Sequence, residues 1–453
     1  MNKHDLVIVG SGSGLQVARA GAQKGLDVAV VEESAIGGTC LNRGCIPSKM
    51  LIHRANVAET IEDSEKFGIS STLEDIDFHG ITKEVNESVD SDSEAVRQGI
   101  KRSGIYTLYE DRASFVDERT LKVGDEKVRG EKMVVAAGAR PRIPTIEGLD
   151  EVDYITSKEA LKLEERPEHL VIVGGGYIAA ELGHFFGSMG SDITVLEANE
   201  TLIGGEDREV SKKFTSEFSK RYEVKTNTKV KNVSQKRDRK KVTGEKNGET
   251  VEVSGDELLI ATGRRPNSDI LDVEKGNVET DEKGFIKVND KLETTAENTW
   301  ALGDIVGGKM LKHVANLEAE YVTMNAVIEH EHSVNYTAIP HAIFSSPEVS
   351  GIGKTEEELE KEGKEYLKGT FNYEDTGFGS ALKSKGFAKA LVSPKSGEIL
   401  GCHIIGPRAS MLIHEVSVSM RKGSGKADDI IKSIHVHPAL NEVVQRAFES
   451  LEY

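Results

Sequence analysis

Cys40 and Cys45, with four residues between them, lie in the segment Gly37-Gly38-Thr39-Cys40-Leu-Asn-Arg-Gly44-Cys45-Ile-Pro47-Ser-Lys49. Thiols this close in sequence can open and close a disulfide and carry two electrons, can supply half of a zinc site, or can sit in a core as two small apolar side chains. Zinc wants four ligands, and the one other cysteine, Cys402, stands in the apolar, strand-like stretch from 399 to 405, where a core position is expected. Residues five apart on a regular α-helix differ by about 7.5 Å in rise and do not face each other, whereas a disulfide needs Cα atoms roughly 4.4 to 6.8 Å apart. A bridge here therefore requires irregular backbone, which Gly44 and Pro47 permit. The spacing predicts a distorted helix start, where the helix dipole and a cation such as Lys49 favour the thiolate, the reactive form.

Oxidising a dithiol also requires a proton acceptor. The segment Ile434-His435-Val436-His437-Pro438-Ala-Leu-Asn-Glu442 offers two histidines, the side chain that titrates near working pH, and a carboxylate that could orient one of them. In an extended segment His435 and His437 share a face, so spacing alone does not choose between them. A histidine beside a proline is by itself more often structural than catalytic.

Such residues must be held by larger elements. Leu6 to Val9 is an apolar run followed by Gly10-Ser-Gly12-Ser-Gly14 and a helix-like stretch, and the next strand, 27 to 31, ends at Glu32. Strand, glycine turn, helix and a distal acid are the parts of a dinucleotide site: glycines let the backbone approach a pyrophosphate, the helix N-terminus supplies amides and positive dipole, and the acid binds a ribose. Leu15 occupies the usual third-glycine position. The grammar returns at Leu170 to Val173, Gly174-Gly-Gly176-Tyr177-Ile178-Ala179, a second strand over 192 to 196, and Glu197. Two such units predict two bound dinucleotides. Glu197 accepts hydrogen bonds from a free 2′-hydroxyl and repels a 2′-phosphate, and residues 198 to 204 contain no arginine, so NAD is expected over NADP.

A chain of 453 residues is too long for one ordinary core and suggests two to four domains. Charged residues make up 30% and the net charge is -18, which argues against nucleic acid and anionic membrane as partners. The acidity serves solubility or adaptation to a salty cytoplasm. Residues 1 to 5 lead straight into the first strand, leaving no room for a secretory signal, and every apolar run is too short to span a bilayer; a cytoplasmic location is expected. In a reducing compartment a close cysteine pair is catalytic or metal-binding before it is structural.

Taken together, Gly37-Gly-Thr-Cys40-x4-Cys45-Ile-Pro-Ser-Lys49, Trp300-Ala-Leu-Gly303-Asp304 and His437-Pro438-x3-Glu442, in that order, resemble the pyridine nucleotide-disulfide oxidoreductases, the family of dihydrolipoamide dehydrogenase and of glutathione, mycothione and mercuric reductases. The resemblance spans nearly the whole chain. It implies an α/β protein with two Rossmann-like domains and a C-terminal α+β dimerisation domain: FAD-binding segments at 1–149 and 268–336, an NAD-binding domain at 150–267 and an interface domain at 337–453. It implies FAD on the first glycine turn, with Glu32 at the adenosine ribose, Gly38 and Thr39 beside it and Asp304 on the ribityl chain. It places the nicotinamide nucleotide on Gly174, Gly176, Tyr177, Ile178 and Glu197. Gly138 and Gly263 match connecting segments, and the helix after Met310-Leu-Lys-His313 directs its N-terminus at the flavin.

By the same resemblance Cys45 faces the flavin and Cys40 exchanges with substrate. His437 is the base and Glu442 its orienter, contributed across a homodimer, and Lys49 pairs with Glu181. Glu197 then points to dihydrolipoamide dehydrogenase, while Tyr177 and Leu311-Lys-His313-Val-Ala-Asn316 look mycothione reductase-like. Mercuric reductase is disfavoured because residues 448 to 453 hold no cysteine pair. A redox-idle structural flavoprotein is disfavoured by the intact cysteine, histidine and glutamate set. The acidic stretch from 61 to 96 reads as helical, and either lines the substrate entrance or is solvated surface, with solvated surface the favoured reading.

Overall fold

Leu6 to Val9 and Val28 to Val31 are all buried, as strands covered on both faces must be. In the computed structural model, which describes residues 1–452, they pair in parallel, Leu6 with Val28 through Val9 with Val31. Tyr453, the end of the cysteine-free tail, lies outside the described residues. The chain forms two units, Met1–Ser48 with Thr82–Arg142 and Gly263–Asn335, and Lys49–Ile81 with Ile143–Thr262 and Tyr336–Tyr453.

The first unit is built on a seven-stranded sheet. Its order is Thr107–Tyr109, Val28–Val31, Asn2–Val9, Glu126–Val135, Thr120–Val123 and Ala113–Asp117, with Thr299–Ala301 also paired to Glu126–Val135. Alternate residues feed different cores. Leu6, Ile8, Val28 and Val30 pack with Val17 and Ala18 of helix Gly14–Gln23 and with Ala319 and Val322 of helix Lys312–Val322. Val7, Val9, Ala29 and Val31 pack with Phe115, Leu121 and Leu271 on the other face.

The second unit contains a parallel sheet in the order Glu223–Lys225, Asp192–Leu196, His169–Val173, Glu257–Ile260, and an antiparallel sheet of three strands. A further antiparallel sheet of five strands runs His341–Ile343, Val349–Gly353, Ile399–Ile405, Phe387–Val392, Leu367–Asn372. Helices Ala409–Lys422 and Glu442–Glu449 cover this last sheet through Leu412, Ile413, Val416, Val443, Val444 and Phe448. Cys402 is fully buried in that core, and burial holds its thiol well above the ordinary range, so it is inert.

The stretch from 61 to 96 is not one helix. Helix Cys45–Glu62 passes into a single 3-10 turn, Asp63–Phe67, which ends at left-handed Gly68; helix Phe78–Ser103 starts only after Asp77 accepts the Gly80 amide at 2.8 Å. Between them Ile69 to Ile76 combines β-branched and hydroxyl residues without a 3.6-residue apolar repeat, so composition suggested a helix that periodicity does not support. Among the described residues no helix is long and apolar enough to cross a membrane.

His184, on helix Tyr177–Ser188, is fully buried. Its Nε2 donates to Asn56 Oδ1 at 2.7 Å and its Nδ1 accepts from Ser188 Oγ at 3.3 Å, an arrangement that suits the neutral ring. Burial, aided by the nearby Arg221 charge, lowers its pKa to about 3. The unfolded chain protonates at its ordinary value, so the unfolded state binds more protons below about pH 6.5, and stability from this group is lost as pH falls toward 3. Unfolding by urea is expected to become easier by about 2 kcal/mol between roughly pH 7 and pH 5 on this account. In His184→Gln the loss should shrink by that amount, and an unchanged acid slope would disprove it.

Candidate active site

The two glycine turns are alike down to single hydrogen bonds. Gly10 donates its amide to Val31 O at 2.8 Å and Gly174 to Leu196 O at 2.9 Å, and Ala136 and Ala261 donate to the last strand residues, Val9 and Val173. Gly10 and Gly174 both have φ just above 100°, and a Cβ on either would lie within 2.5 Å of the carbonyl oxygen of Ala136 or Ala261. Only glycine fits there. Gly12 and Gly176, by contrast, have no heavy atom closer than 4.0 Å to such a Cβ, so each presents bare backbone at the mouth of its turn. Neither following helix has an acid in its first turn or a side chain capping its amides, which leaves NH groups and positive dipole for an anion. Those features fit a pyrophosphate at both turns. The third-glycine defect at Leu15 is also accounted for. Gly14 makes the close approach, since a Cβ there would meet Ile8 Cγ2 at 2.7 Å, and Leu15 is free to pack into the core beside it.

Glu32 and Glu197 close each unit in the same way. The residue after the first glycine donates its amide to the acid, Ser11 to Glu32 at 2.9 Å and Gly175 to Glu197 at 2.5 Å. Glu32 also accepts from the Ser11 hydroxyl and from the amide and hydroxyl of Ser34, filling its acceptor positions. A ribose hydroxyl would take the place of one serine hydroxyl, which can rotate away. Glu197 further accepts from the amide and side chain of Asn199, and among the described residues no arginine or lysine bonds to it.

The cysteines straddle a helix break. Cys40 lies in the short helix Gly38–Arg43 and Cys45 opens helix Cys45–Glu62, separated by Gly44 with φ -149° and ψ -117°. That glycine is also sterically required, because a Cβ would lie 2.9 Å from Thr39 O. Asn42, buried beneath, ties the segment down by donating to the carbonyls of Ala35, Ile36 and Gly38. Cys40 is half-buried and Cys45 exposed. The helix break supplies the irregular backbone that the spacing demands.

The two histidines are not equivalent. His435 is half-buried with its side chain only 8% exposed, its Nε2 2.9 Å from Glu415 on helix Ala409–Lys422 and its Nδ1 3.2 Å from Ser433 O. His437 is 77% exposed; its Nδ1 is 2.7 Å from Glu442 Oε1, which leaves Nε2 outward. Glu442 starts helix Glu442–Glu449 and takes the Ala439 amide at 3.2 Å; the His437 hydrogen bond holds its carboxyl below the usual range, so it stays charged. An imidazole so oriented can receive a proton at Nε2 while the carboxylate stabilises the cation.

Lys49 reaches both oxygens of buried Glu181, at 2.9 and 2.7 Å, and lies 4.8 Å from the centre of the Phe344 ring, whose amide donates to the same carboxylate. Asp304 sits in the turn opened by left-handed Gly303, 3.3 Å from Arg264 Nε. Burial raises its pKa against the pull of Arg264. Gly138 and Gly263 both have positive φ and nothing near a Cβ. Tyr177, Ile178 and His313 lie in the first turns of their helices, Tyr177 and His313 exposed. Arg264 and Lys312 were not singled out from the sequence. A lysine in the first turn of a helix, against its dipole, was the available signal for the second.

Residues 4–319 match the family described as pyridine nucleotide-disulphide oxidoreductase, and residues 339–448 match its dimerisation domain. The chain is a pyridine nucleotide-disulphide oxidoreductase. A dihydrolipoyl dehydrogenase of Geobacillus stearothermophilus is 35% identical to it, with 98% of this chain and 95% of the relative covered. A mycothione reductase of Mycobacterium tuberculosis is 32% identical across the full length of both. Among solved structures, the Cu(II) complex of the HOCl-induced flavoprotein disulfide reductase RclA from Escherichia coli superposes with a TM-score of 0.88, at 28% identity and 99% coverage of each chain. This oxidoreductase is accordingly a flavin-dependent enzyme that uses FAD and a pyridine nucleotide and forms a homodimer.

Proposed function

We propose that this oxidoreductase oxidises a dihydrolipoyl dithiol with NAD, through FAD and the Cys40/Cys45 pair. The observation that carries the reading is Glu197: a carboxylate fixed at the strand end by Gly175 and Asn199, to which no arginine or lysine bonds among the described residues, selects the unphosphorylated nucleotide. An NAD-linked member of the family is suited to drawing electrons from a dithiol. The 35% identical dihydrolipoyl dehydrogenase supports the same choice.

In this reading His437 Nε2 removes a proton from one substrate thiol, and the resulting thiolate attacks Cys40 Sγ. The Cys40–Cys45 bond breaks and Cys45 leaves as thiolate. The second substrate thiol then displaces Cys40 from the mixed disulfide, so the substrate leaves oxidised by two electrons and the enzyme holds two reduced sulfurs. FAD, when bound, supplies the two-electron link between that pair and NAD. Glu442 orients the base, and Lys49, held by Glu181, sets a fixed positive charge one helical turn beyond Cys45.

The second reading is reduction of a small disulfide, favoured by Tyr177, exposed at the start of its helix as a cover for the nicotinamide pocket would be, and by the mycothione reductase relative. Steady-state turnover decides between them: dihydrolipoamide with NAD, beside NADH and NADPH with a panel of small disulfides. Rapid NAD-dependent lipoamide oxidation is expected. Its absence alongside rapid reduction of one disulfide would replace the first reading by the second.

A further inference from the structure

His330 and His332 meet nitrogen to nitrogen. Nδ1 of the first lies 2.8 Å from Nε2 of the second, with the ring planes inclined at 64°, and both residues are exposed. Two imidazole nitrogens at this distance share one hydrogen, so that one ring donates and the other accepts. In water such a bond contributes little by itself, because solvent serves each nitrogen as well and aligning two exposed side chains costs rotamer freedom.

The backbone nevertheless builds the pair. The segment follows helix Lys312–Val322 and the π-helical turn Thr323–Ile328, and leaves it through Glu329 in the left-handed conformation, φ 60°. Buried Asn325 clamps it: Nδ2 donates to the carbonyls of His332 at 3.0 Å and Lys291 at 2.9 Å, while Oδ1 accepts the His332 amide at 2.7 Å. The His330 amide donates to Met324 O at 2.9 Å and the Val334 amide to Asp290 O at 2.8 Å. The neighbouring carboxylates are held elsewhere, Glu329 by Lys132 at 2.6 Å and Glu331 by Lys291. The imidazoles are left converging on each other from a fixed turn.

A metal ion can take the place of the shared hydrogen. One ring moves its proton to its outer nitrogen, and both inner lone pairs then face the ion with no change in charge on either ring. Two nitrogens each about 2.0 Å from an ion stand about 2.8 Å apart at a right angle and about 3.3 Å apart at a tetrahedral angle. The observed separation fits adjacent corners of a square or octahedral ion, the preference of Cu(II) and Ni(II), better than tetrahedral zinc. The surroundings favour a cation: the turn stands at the C-terminal end of its helix, where the dipole is negative, and the carboxylates of Glu329, Glu331 and Asp290 outnumber the two lysines. Among the described residues no group of three histidine, cysteine or carboxylate side chains forms a metal cage, so the remaining corners fall to water.

We propose that His330 and His332 form a surface site for a divalent transition-metal ion, Ni(II) or Cu(II), held by two imidazole nitrogens and water. The site takes no part in the dithiol reaction and does not rest on that reading.

The probe is Ni(II), which thiols do not reduce, titrated calorimetrically into oxidised, tag-free holoenzyme. One equivalent is expected to bind at about pH 7.5 and to be lost at about pH 5.5, where both imidazoles are protonated. His330→Gln and His332→Gln should each weaken binding by at least about tenfold, a loss that even the outer partners of metal ligands can cause. Flavin content and NADH oxidation are expected to be unchanged in both variants, which shows that they are folded. Absence of a saturable equivalent in the unaltered enzyme overturns the proposal. Ni(II) binding of undiminished affinity in both variants overturns it as well, because the ion would then sit on other histidines.

Discussion

Cys45→Ser is expected to abolish disulfide turnover, by at least about 10⁴-fold, and to leave FAD bound. A serine hydroxyl is nearly the same size, but it forms no disulfide and is not ionised near neutral pH, so neither closing the bridge nor leaving as an anion is open to it. Cys45 is exposed at the first position of its helix, and Gly44 rather than the thiol fixes the backbone there, so the substitution disturbs little packing. The flavin's expected holders, the Gly10 to Gly14 turn, Glu32, Gly38, Thr39 and Asp304, are untouched by the substitution. The purified variant should therefore stay yellow while NAD-linked lipoamide activity falls to background. Retained activity would overturn the redox-pair assignment, and loss of colour would show that Cys45 supports the flavin site.

What the sequence disclosed here was mostly local. Both glycine turns, their distal acids and the break between Cys40 and Cys45 depend on residues within about one strand-turn-helix unit, where glycine and periodicity signals are strong. Even the anomalous Leu15 was visible, although only the structure shows that Gly14 takes over the close approach to Ile8. Choosing between His435 and His437 was not possible from spacing, because it depends on which ring is buried. That is decided by Glu415, twenty residues upstream, reaching His435 from another helix. Lys312 was hidden for the same reason at longer range. Its partner Ser13 is separated from it by nearly the whole first unit, and its own neighbour in sequence, His313, drew attention through resemblance alone. The stretch from 69 to 76 misled in the opposite way: acidity and polarity say that a segment is solvated, and they do not say that it is helical.

His437→Gln is expected to slow dithiol oxidation by about 10² to 10⁴-fold, the usual worth of a positioned general base. The effect should be one of chemistry and not of folding. The imidazole is 77% exposed in the single chain, and its hydrogen bond to Glu442 is of a kind a glutamine amide can also donate. Reduction of the enzyme by NADH draws no proton from a substrate thiol, so that half-reaction should keep its rate while the dithiol half-reaction slows. His435→Gln supplies the contrast: with both ring nitrogens engaged by Glu415 and Ser433, its loss should loosen the 433–438 segment and lower thermal stability before it lowers the rate of proton transfer. Stopped-flow measurement of the two half-reactions in both variants tests the assignment. A near-normal dithiol half-reaction in His437→Gln, with a large defect in His435→Gln, would move the base to the buried ring.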